Sequence, residues 1–318
     1  MHWRCVRRKS LLRKLQQVNF DTTVQEKNIT HPTDSRLLHR AIQKVVIAAK
    51  TRGITLRQSY QRVAKSAAMM AGRYAHAKQF KRMRRELRKL KTWLGRVLPD
   101  VGRKVPSPDE SLQKLLTLCH RLQAQLPTDK GKLYSLHEPE VVCLSKGKAH
   151  KRYEFGQKVA LATSNRGNWI AGVQMCPGGP YDGHTLSSTL ATVESMIGLP
   201  VKAAFVDKGY RGHGYDGSAT IHLSGSSSRH LTRTMKQRRR RRSAIKPKIG
   251  HLKQDHRMGR CFLRGLAGDA INAVLAAAGS NLSKLLGRLF FSLNLWLWYR
   301  LTSRIAASTP LKLGIATT

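Results

Sequence analysis

Two stretches of sequence decide the fold, and each carries an acid. Residues 15–25, LQQVNFDTTVQ, are rich in β-branched and alternating residues, which predicts a strand with Asp21 near its middle. Residues 200–207, PVKAAFVD, form a short apolar run ending in Asp207, which is typical of a buried strand. Acids are scarce, 17 against 59 Lys and Arg, so their placement in strands is informative.

Outward from these strands, the pattern alternates between helical and extended segments. After the first strand we expect a helix capped by Asp34, a long basic helical region over 56–98, an interruption at 106–108 and a helix over 109–126. Strands follow at 139–145, 154–164 and 168–177, the last two joined by a hairpin turn at 165–167. A helix over 185–197, the strand over 200–207, a Gly- and Ser-rich loop over 209–228 and a long helix from about Ser243 complete the order.

This order predicts a mixed α/β sheet with flanking helices, interrupted by an all-helical basic block. The helical block is most simply an insertion, because similar strand-forming sequence lies on both of its sides. We expect four units: the first strand of a sheet domain (1–33), the helical insertion (34–130), the remainder of the sheet domain (131–286) and a divergent tail (287–318).

The formal net charge of +42 indicates a polyanionic partner. Self-repulsion on this scale opposes compaction, and duplex DNA is the densest common polyanion that would neutralise it. A solvated or ribosome-like basic protein is the alternative on charge alone. The apolar run at 289–298 is too short to span a bilayer, which favours a packed terminal helix over a membrane-surface helix. No membrane partner is expected.

Asp21 and Asp207 have two interpretations. A carboxylate on a strand amid so much positive charge is usually a structural ion-pair partner. The alternative is a shared divalent cation, because Mg²⁺ binds one or two carboxylates together with substrate phosphates. Spacing alone favours the ion pair. Asp182 and His184, in the motif PYDGH, are ordinary turn formers, and a supporting role beside a metal is their second interpretation.

The motifs FDTT (20–23), PYDGHTL (180–186), FVDKGYRGH (205–213) and IGHLKQDHRMGRCFLRGLAGDAINAVL (249–275) resemble blocks of one group of bacterial insertion-sequence transposases. The resemblance runs from about residue 18 to 286. It implies a DDE-class, RNase H-like domain in which three acids bind two Mg²⁺ ions for in-line attack on a phosphodiester. It also implies double-stranded DNA with terminal inverted repeats as the partner, a homodimer on DNA as one option, and a bacterial cytoplasmic location at the nucleoid.

Carried over residue by residue, the resemblance assigns Asp21 and Asp207 as the first two acids. Its signature of tyrosine, arginine, glutamate and lysine matches at Arg242 and Lys253, two cations expected to orient phosphates. The tyrosine position holds Arg239 and the glutamate position holds Lys246. An ammonium group cannot ligate Mg²⁺, so we expect weak or absent strand transfer from a degenerate copy.

Neither of the nearest later acids is expected to replace the missing glutamate. On one continuous helix, Asp255 would lie opposite position 246 and Asp269 more than six turns away. Related proteins also carry a helical DNA-contacting region before the first strand, which predicts an N-terminally truncated reading frame here. A non-catalytic DNA-binding regulator is the alternative function. The candidate phosphate contacts are the cations of two basic segments: Arg238, Arg239, Arg240, Arg241, Lys81, Arg82, Arg84 and Arg85.

Overall fold

The computed structural model describes residues 15–145, 151–225 and 231–308. Within them, the seven strands form one sheet: β1 (Gln17–Lys27), β2 (Val142–Ser145), β3 (Tyr153–Ser164), β4 (Ile170–Cys176), β5 (Ala203–Val206), β6 (Thr220–Leu223) and β7 (Arg260–Cys261). The order is β2-β3-β1-β5-β6, with β4 also on β3 and β7 also on β1.

The long strand β1 lies at the centre of this sheet. It pairs antiparallel with β3 over nine residue pairs, from Val18 with Ser164 to Glu26 with Gly156. On its other edge it pairs in parallel with β5, and β5 pairs in parallel with β6. The sheet is therefore mixed, with an antiparallel half (β1, β3, β4) and a parallel half (β1, β5, β6).

Four helices lie between β1 and β2: α1 (Asp34–Thr51), α2 (Gln61–His76), α3 (Phe80–Lys104) and α4 (Glu110–Ala124). Their apolar faces form a core of their own, which includes Ile42, Leu90 and Leu112. One expectation was wrong in detail: the cap of α1 is Thr33, whose hydroxyl accepts from the Arg36 N–H, and not Asp34. The basic region is helical as expected and forms two helices, α2 and α3, separated by a turn where Lys78 has a φ of 57°.

The two faces of the sheet carry separate cores. One face packs on α5 (Leu186–Ile197) through residues such as Phe20, Ala204 and Leu190. The other face packs on α7 (Ile245–Gln254) and α8 (Gly265–Ser308) through residues such as Leu161 and Ala276. A short helix, α6 (Arg233–Arg241), and a 3₁₀ turn (Arg242–Ala244) precede α7.

Two further expectations were wrong. The Gly- and Ser-rich segment contains β6, which four residues form by pairing with β5. The region after Ser243 is not one continuous helix, because α7 ends before a tight turn in which Arg257 has a φ of 56°, and β7 separates it from α8.

A buried ion triad links the centre of the sheet to α8. The Lys27 Nζ on β1 lies 3.0 Å from both Glu138 Oε2 and Asp269 Oδ1. All three side chains are at most 4% exposed. Burial disfavours the charged form of Lys27, but the hydrogen bonds to Asp269 and Glu138 outweigh it and raise its pKa. Of the helices described, none is long and apolar enough to cross a membrane.

Candidate functional site

Strand register brings Asp21 and Asp207 together. In the parallel pair β1–β5, Asn19 lies opposite Phe205. Two residues further along each strand direction lie Asp21, within β1, and Asp207, directly after β5. Because side chains two residues apart share a face of a strand, both carboxylates lie on one side of the sheet, at the carboxyl end of β5.

Arg242 joins the two carboxylates. Its Nη2 lies 3.2 Å from Asp21 Oδ2 and 3.1 Å from Asp207 Oδ2. The Arg242 side chain is 8% exposed, whereas Asp21 is 17% and Asp207 39% exposed. A nearly buried guanidinium therefore neutralises a pair of acids that would otherwise repel one another.

Each acid also accepts a hydrogen bond from the backbone that follows it. Asp21 Oδ1 accepts from the Thr22 N–H at 2.9 Å, and Asp207 Oδ1 accepts from the Lys208 N–H at 2.8 Å. In both residues one oxygen is fixed locally and the other faces Arg242. This arrangement orients both carboxylates toward a single point.

The pKa of Asp207 is lowered from its ordinary value. Burial alone would raise it, but the Lys208 N–H and the charges of Arg242 and Lys246 outweigh that effect. Lys246 lies in the first turn of α7, one helical turn after Arg242, and its side chain is exposed. The position where the resemblance expects a glutamate thus holds a cation that acts on Asp207.

Two asparagines hold the segment that precedes Arg242 against the sheet. Asn19 Nδ2 on β1 donates to the Arg241 carbonyl at 3.3 Å, and Asn165 Nδ2 donates to the Arg238 carbonyl at 2.9 Å. Asn165 also donates to the Asn19 side chain at 2.7 Å. These contacts fix the arginine run of α6 beside the two acids.

Asp182 contacts β1 and β3 from the turn that precedes α5. Its Oδ1 lies 2.8 Å from both Thr22 Oγ1 and Lys158 Nζ, which places it beside β1 and β3. Burial raises the pKa of the Tyr210 hydroxyl, and the nearby charges of Asp182 and Asp21 raise it further. Its partner Thr22 follows Asp21 directly on β1, so Asp182 and Asp21 lie on opposite faces of the sheet. The motif PYDGH does form a 3₁₀ turn, Asp182–Thr185, as expected of a turn former.

Neither Asp255 nor Asp269 reaches this site. Asp255 follows directly on the helix that carries Lys246, so the angular argument holds for it. Asp269 lies on a separate helix after β7, so the argument does not apply to it. Asp255 Oδ2 pairs with His251 Nδ1 at 2.8 Å at the end of α7. Asp269 is buried in the ion triad with Lys27.

The candidate phosphate contacts form two separate groups. Arg240 is exposed and Arg238, Arg239 and Arg241 are partly exposed, on the helix α6 that directly precedes Arg242. Lys81, Arg82, Arg84 and Arg85 are exposed on α3, in the helical block. Lys253 lies two helical turns after Lys246, on the same face of α7. Within the described residues, Arg238, Arg240 and Arg241 make no ion pair with a carboxylate.

Comparison with known proteins identifies the segment that contains much of this site. Residues 204–286 match the family model of the transposase DDE domain. This segment of the chain is similar to a DDE-class transposase domain. The matched residues of that domain include Asp207, Arg242, Lys246 and Lys253, while Asp21 lies outside them.

One curated relative matches part of the chain. This relative is the uncharacterized protein ORF8 in the nfe locus of Rhizobium meliloti, and the two sequences are 64% identical over 66 residues. That match covers 21% of this chain and 32% of the relative, so the chain spans about a third of the relative's length. No solved structure matches the chain.

DDE-class domains generally use divalent metal ions such as Mg²⁺, and the donors present fit this requirement poorly. No group of three or more His, Cys, Asp or Glu side chains among the described residues is arranged to hold a metal ion. The two converging acids instead face Arg242 and Lys246, which would repel a divalent cation. The pair of Mg²⁺ ions that the resemblance implies does not fit this arrangement.

Proposed function

We propose that the chain is a degenerate DDE transposase that binds the terminal inverted repeats of an insertion sequence and cleaves them poorly. The observation that carries this proposal is the shared contact of Asp21 and Asp207 with Arg242 Nη2, at 3.2 and 3.1 Å. Two distant acids converge as a DDE-class site requires. The third acidic position, Lys246, contributes a positive charge instead of a ligand.

The proposed architecture is an RNase H-like sheet domain interrupted by the helical insertion at 34–130. The strand order β4-β3-β1-β5-β6, with β1, β5 and β6 parallel, supports it. The helices α1–α4 bury their own core, which is consistent with an inserted unit. The protein would act in the bacterial cytoplasm on nucleoid DNA, with a second copy on the same DNA.

DNA binding rests on the distribution of charge. The chain carries 59 Lys and Arg against 17 Asp and Glu, and the arginine run of α6 lies beside the two acids. Phosphates at this surface would contact Arg238, Arg240 and Arg241, which directly precede Arg242 in the chain. Such contacts position DNA and carry no sequence information of their own.

Because the donor set does not fit two metal ions, no cleavage step is assigned to the site. A non-catalytic regulator that occupies transposon ends is the second candidate function, and one observation favours it. Arg242 occupies the space between the carboxylates where a metal would be held, so the site is electrostatically satisfied without any metal.

Binding and cleavage measured side by side test the proposal. The full chain is incubated with duplex DNA containing the sequences that flank its gene, with and without Mg²⁺. We expect binding with little cleavage. Robust Mg²⁺-dependent cleavage would contradict a degenerate site, and a preference for structured RNA over duplex DNA would contradict the transposase function itself.

Two substitutions at one position isolate the missing ligand. Lys246→Glu restores a carboxylate on the face of α7 that acts on Asp207, whereas Lys246→Gln removes the charge only. If the third ligand is what is missing, Lys246→Glu should increase Mg²⁺-dependent cleavage and Lys246→Gln should not. Equal cleavage by both variants would show that repulsion by Lys246, and not the absent carboxylate, limits the site.

A further inference from the structure

The outer face of α8 carries an exposed apolar stripe with heptad spacing. Successive positions alternate by four and three residues from Ile271 to Tyr299. We call this stripe the α8 seam; it consists of Ile271, Leu275, Ala278, Leu282, Leu285, Leu289, Ser292, Trp296 and Tyr299. Four heptads of this spacing are typical of a coiled coil, in which every a and d position packs on a partner helix.

The seam lies on the side of α8 that faces away from the sheet. Besides Asp269 of the ion triad, the side chains that α8 buries against the body are Ala273, Ala276, Ala277 and Ser280, which belong to the opposite face of the helix. The seven large seam side chains are between 46% and 66% exposed. The sheet domain therefore accounts for one face of α8 and leaves the seam uncovered.

Beyond the sheet domain, α8 continues as an overhang. Lys284 and Arg288 contact the Trp169 ring, at 5.2 and 4.9 Å from its centroid. From Leu285 to Leu301 every residue is exposed. The seam runs without a break from the docked part of α8 into the overhang, over about 40 Å of helix.

The exposed area is close to what a dimer requires. If a fully exposed large side chain is taken as roughly 150–250 Å², the seven seam side chains present on the order of 700 Å². A standard interface buries about 800 Å² on each partner, and the largest apolar patch on a monomer is usually about 300–600 Å². The seam thus matches a protein interface better than an ordinary monomer surface.

We propose that the α8 seam pairs with the α8 seam of a second copy as a parallel two-stranded coiled coil. The flanking charges favour the parallel register. In that register Arg288 and Arg300 of the two copies lie opposite apolar positions, so no arginine meets another arginine, and both already contact tryptophan rings of their own chain, Trp169 and Trp296. A membrane-surface helix would instead need a polar face opposite its apolar face, and the overhang also exposes Phe290, Phe291 and Trp298.

This pairing has a salt dependence opposite to that of DNA binding. The seam is apolar and both copies are strongly cationic, so screening of their repulsion should strengthen association as salt rises. Phosphate contacts weaken as salt rises. Association is therefore measured without DNA, which makes the result independent of the proposed DNA function.

Sedimentation velocity on the full chain tests the proposal, in buffers from low salt to about 0.5 M NaCl. We expect a dimer that becomes more populated with salt. Leu282→Glu with Leu289→Glu should raise the concentration needed for half-dimerisation at least tenfold. The matched control, Phe291→Glu with Trp298→Glu, places the same charges on the same helix outside the seam and should leave dimerisation within threefold.

Mixing charge variants tests the register. The Leu275→Glu variant mixed with Leu275→Lys should form heterodimers, because parallel pairing places position 275 of the two copies opposite one another, whereas antiparallel pairing of the whole seam would place it near position 296. A monomer at every salt concentration, equal effects of seam and control variants, or absence of heterodimers would overturn the proposal. Binding to phosphatidylcholine and phosphatidylglycerol vesicles that the seam variant abolishes, with no dimer, would assign the seam to lipid and overturn it as well. Circular dichroism confirms that each variant remains helical.

Discussion

Asp21 and Asp207 lie on neighbouring parallel strands and share one counterion, with Arg242 Nη2 within 3.2 Å of a carboxylate oxygen of each. Their approach follows from register, since Asn19 lies opposite Phe205 two residues earlier. Two acids separated by 186 positions in the chain thus depend on a single guanidinium for charge balance.

Arg242→Ala should lower the free energy of unfolding by about 1.5–3 kcal/mol at pH 7, because two partly buried carboxylates lose hydrogen bonds from a charged donor. The pKa of Asp207 is lowered in the folded protein. Its stabilising contribution is therefore present above the unfolded pKa of about 3.9 and is lost as pH falls through the lower folded value. Urea denaturation from pH 7 toward pH 3 should show the difference between variant and parent narrowing.

Arg240→Ala is the matched control, because Arg240 is exposed in the same segment and touches neither acid. We expect a change within about 0.5 kcal/mol. If both variants lost the same stability at pH 7, the shared contact of Arg242 with Asp21 and Asp207 would contribute nothing particular to the fold.

Lys27→Met should destabilise the protein by about 3–5 kcal/mol, because it leaves Glu138 and Asp269 buried without their counterion. Since the folded pKa of Lys27 is raised, its contribution is complete below the unfolded pKa of about 10.4 and disappears only as pH rises through the folded value. Thermal or urea denaturation at pH 7 therefore reports the full effect.

Lys114→Met provides the comparison. Its partner Glu110 lies 2.5 Å away, but the two side chains are 72% and 82% exposed. An exposed pair contributes about 0–1 kcal/mol, so Lys114→Met should be nearly neutral. Similar losses from both variants would mean that burial does not set the contribution of the Lys27 triad.

The approach of Asp21 and Asp207 could be predicted from the sequence, whereas the neutralisation of their charges by Arg242 could not. Local pattern places Asp21 inside one strand and Asp207 at the end of another, and the resemblance joins them. The contact of Arg242 with both acids depends on a 3₁₀ turn whose position is set by Asn19 and Asn165, which lie more than 70 residues away along the chain. Side-chain contacts at such separations leave no periodic signal.

The same reason explains the missed strand β6 and the unpredicted contacts of Asp182. The Gly- and Ser-rich sequence around β6 predicts a loop. Its four residues nevertheless form a strand, because they pair in parallel with the edge of β5. Asp182 lies in a turn motif that is common in loops, and its contacts with Thr22 and Lys158 could not be predicted because the fold brings these residues to it. By contrast, β1, β3 and β4 were predicted within a few residues because their alternation is local and strong.

Gly156→Ala should destabilise the sheet by about 1–3 kcal/mol or more. A Cβ at this position would lie 2.7 Å from the Glu26 Cα, because Gly156 is paired closely with β1. Backbone atoms of a central strand cannot move aside as a flexible side chain can.

Gly72→Ala is the matched control, since an added Cβ in α2 meets nothing within 4 Å, and it should stabilise the protein by up to about 1 kcal/mol. Urea denaturation distinguishes the two, and a neutral Gly156→Ala would contradict the tight pairing of β1 and β3.

Replacement of Arg238, Arg240 and Arg241 by Gln should weaken DNA binding and reduce its salt dependence. Each phosphate contact contributes about 0.9 to the slope of log affinity against log salt, so three lost contacts should reduce the magnitude of the slope by roughly 2–3.

The control variant replaces Lys50, Lys114 and Lys130, three exposed lysines of the helical block, by Gln and so removes the same charge. Fluorescence anisotropy with one labelled duplex over a salt series gives both slopes. If the site binds DNA phosphates, only the arginine variant changes the slope; equal slopes for the two variants would mean that the net charge alone, and not the surface beside Asp21 and Asp207, attracts the DNA.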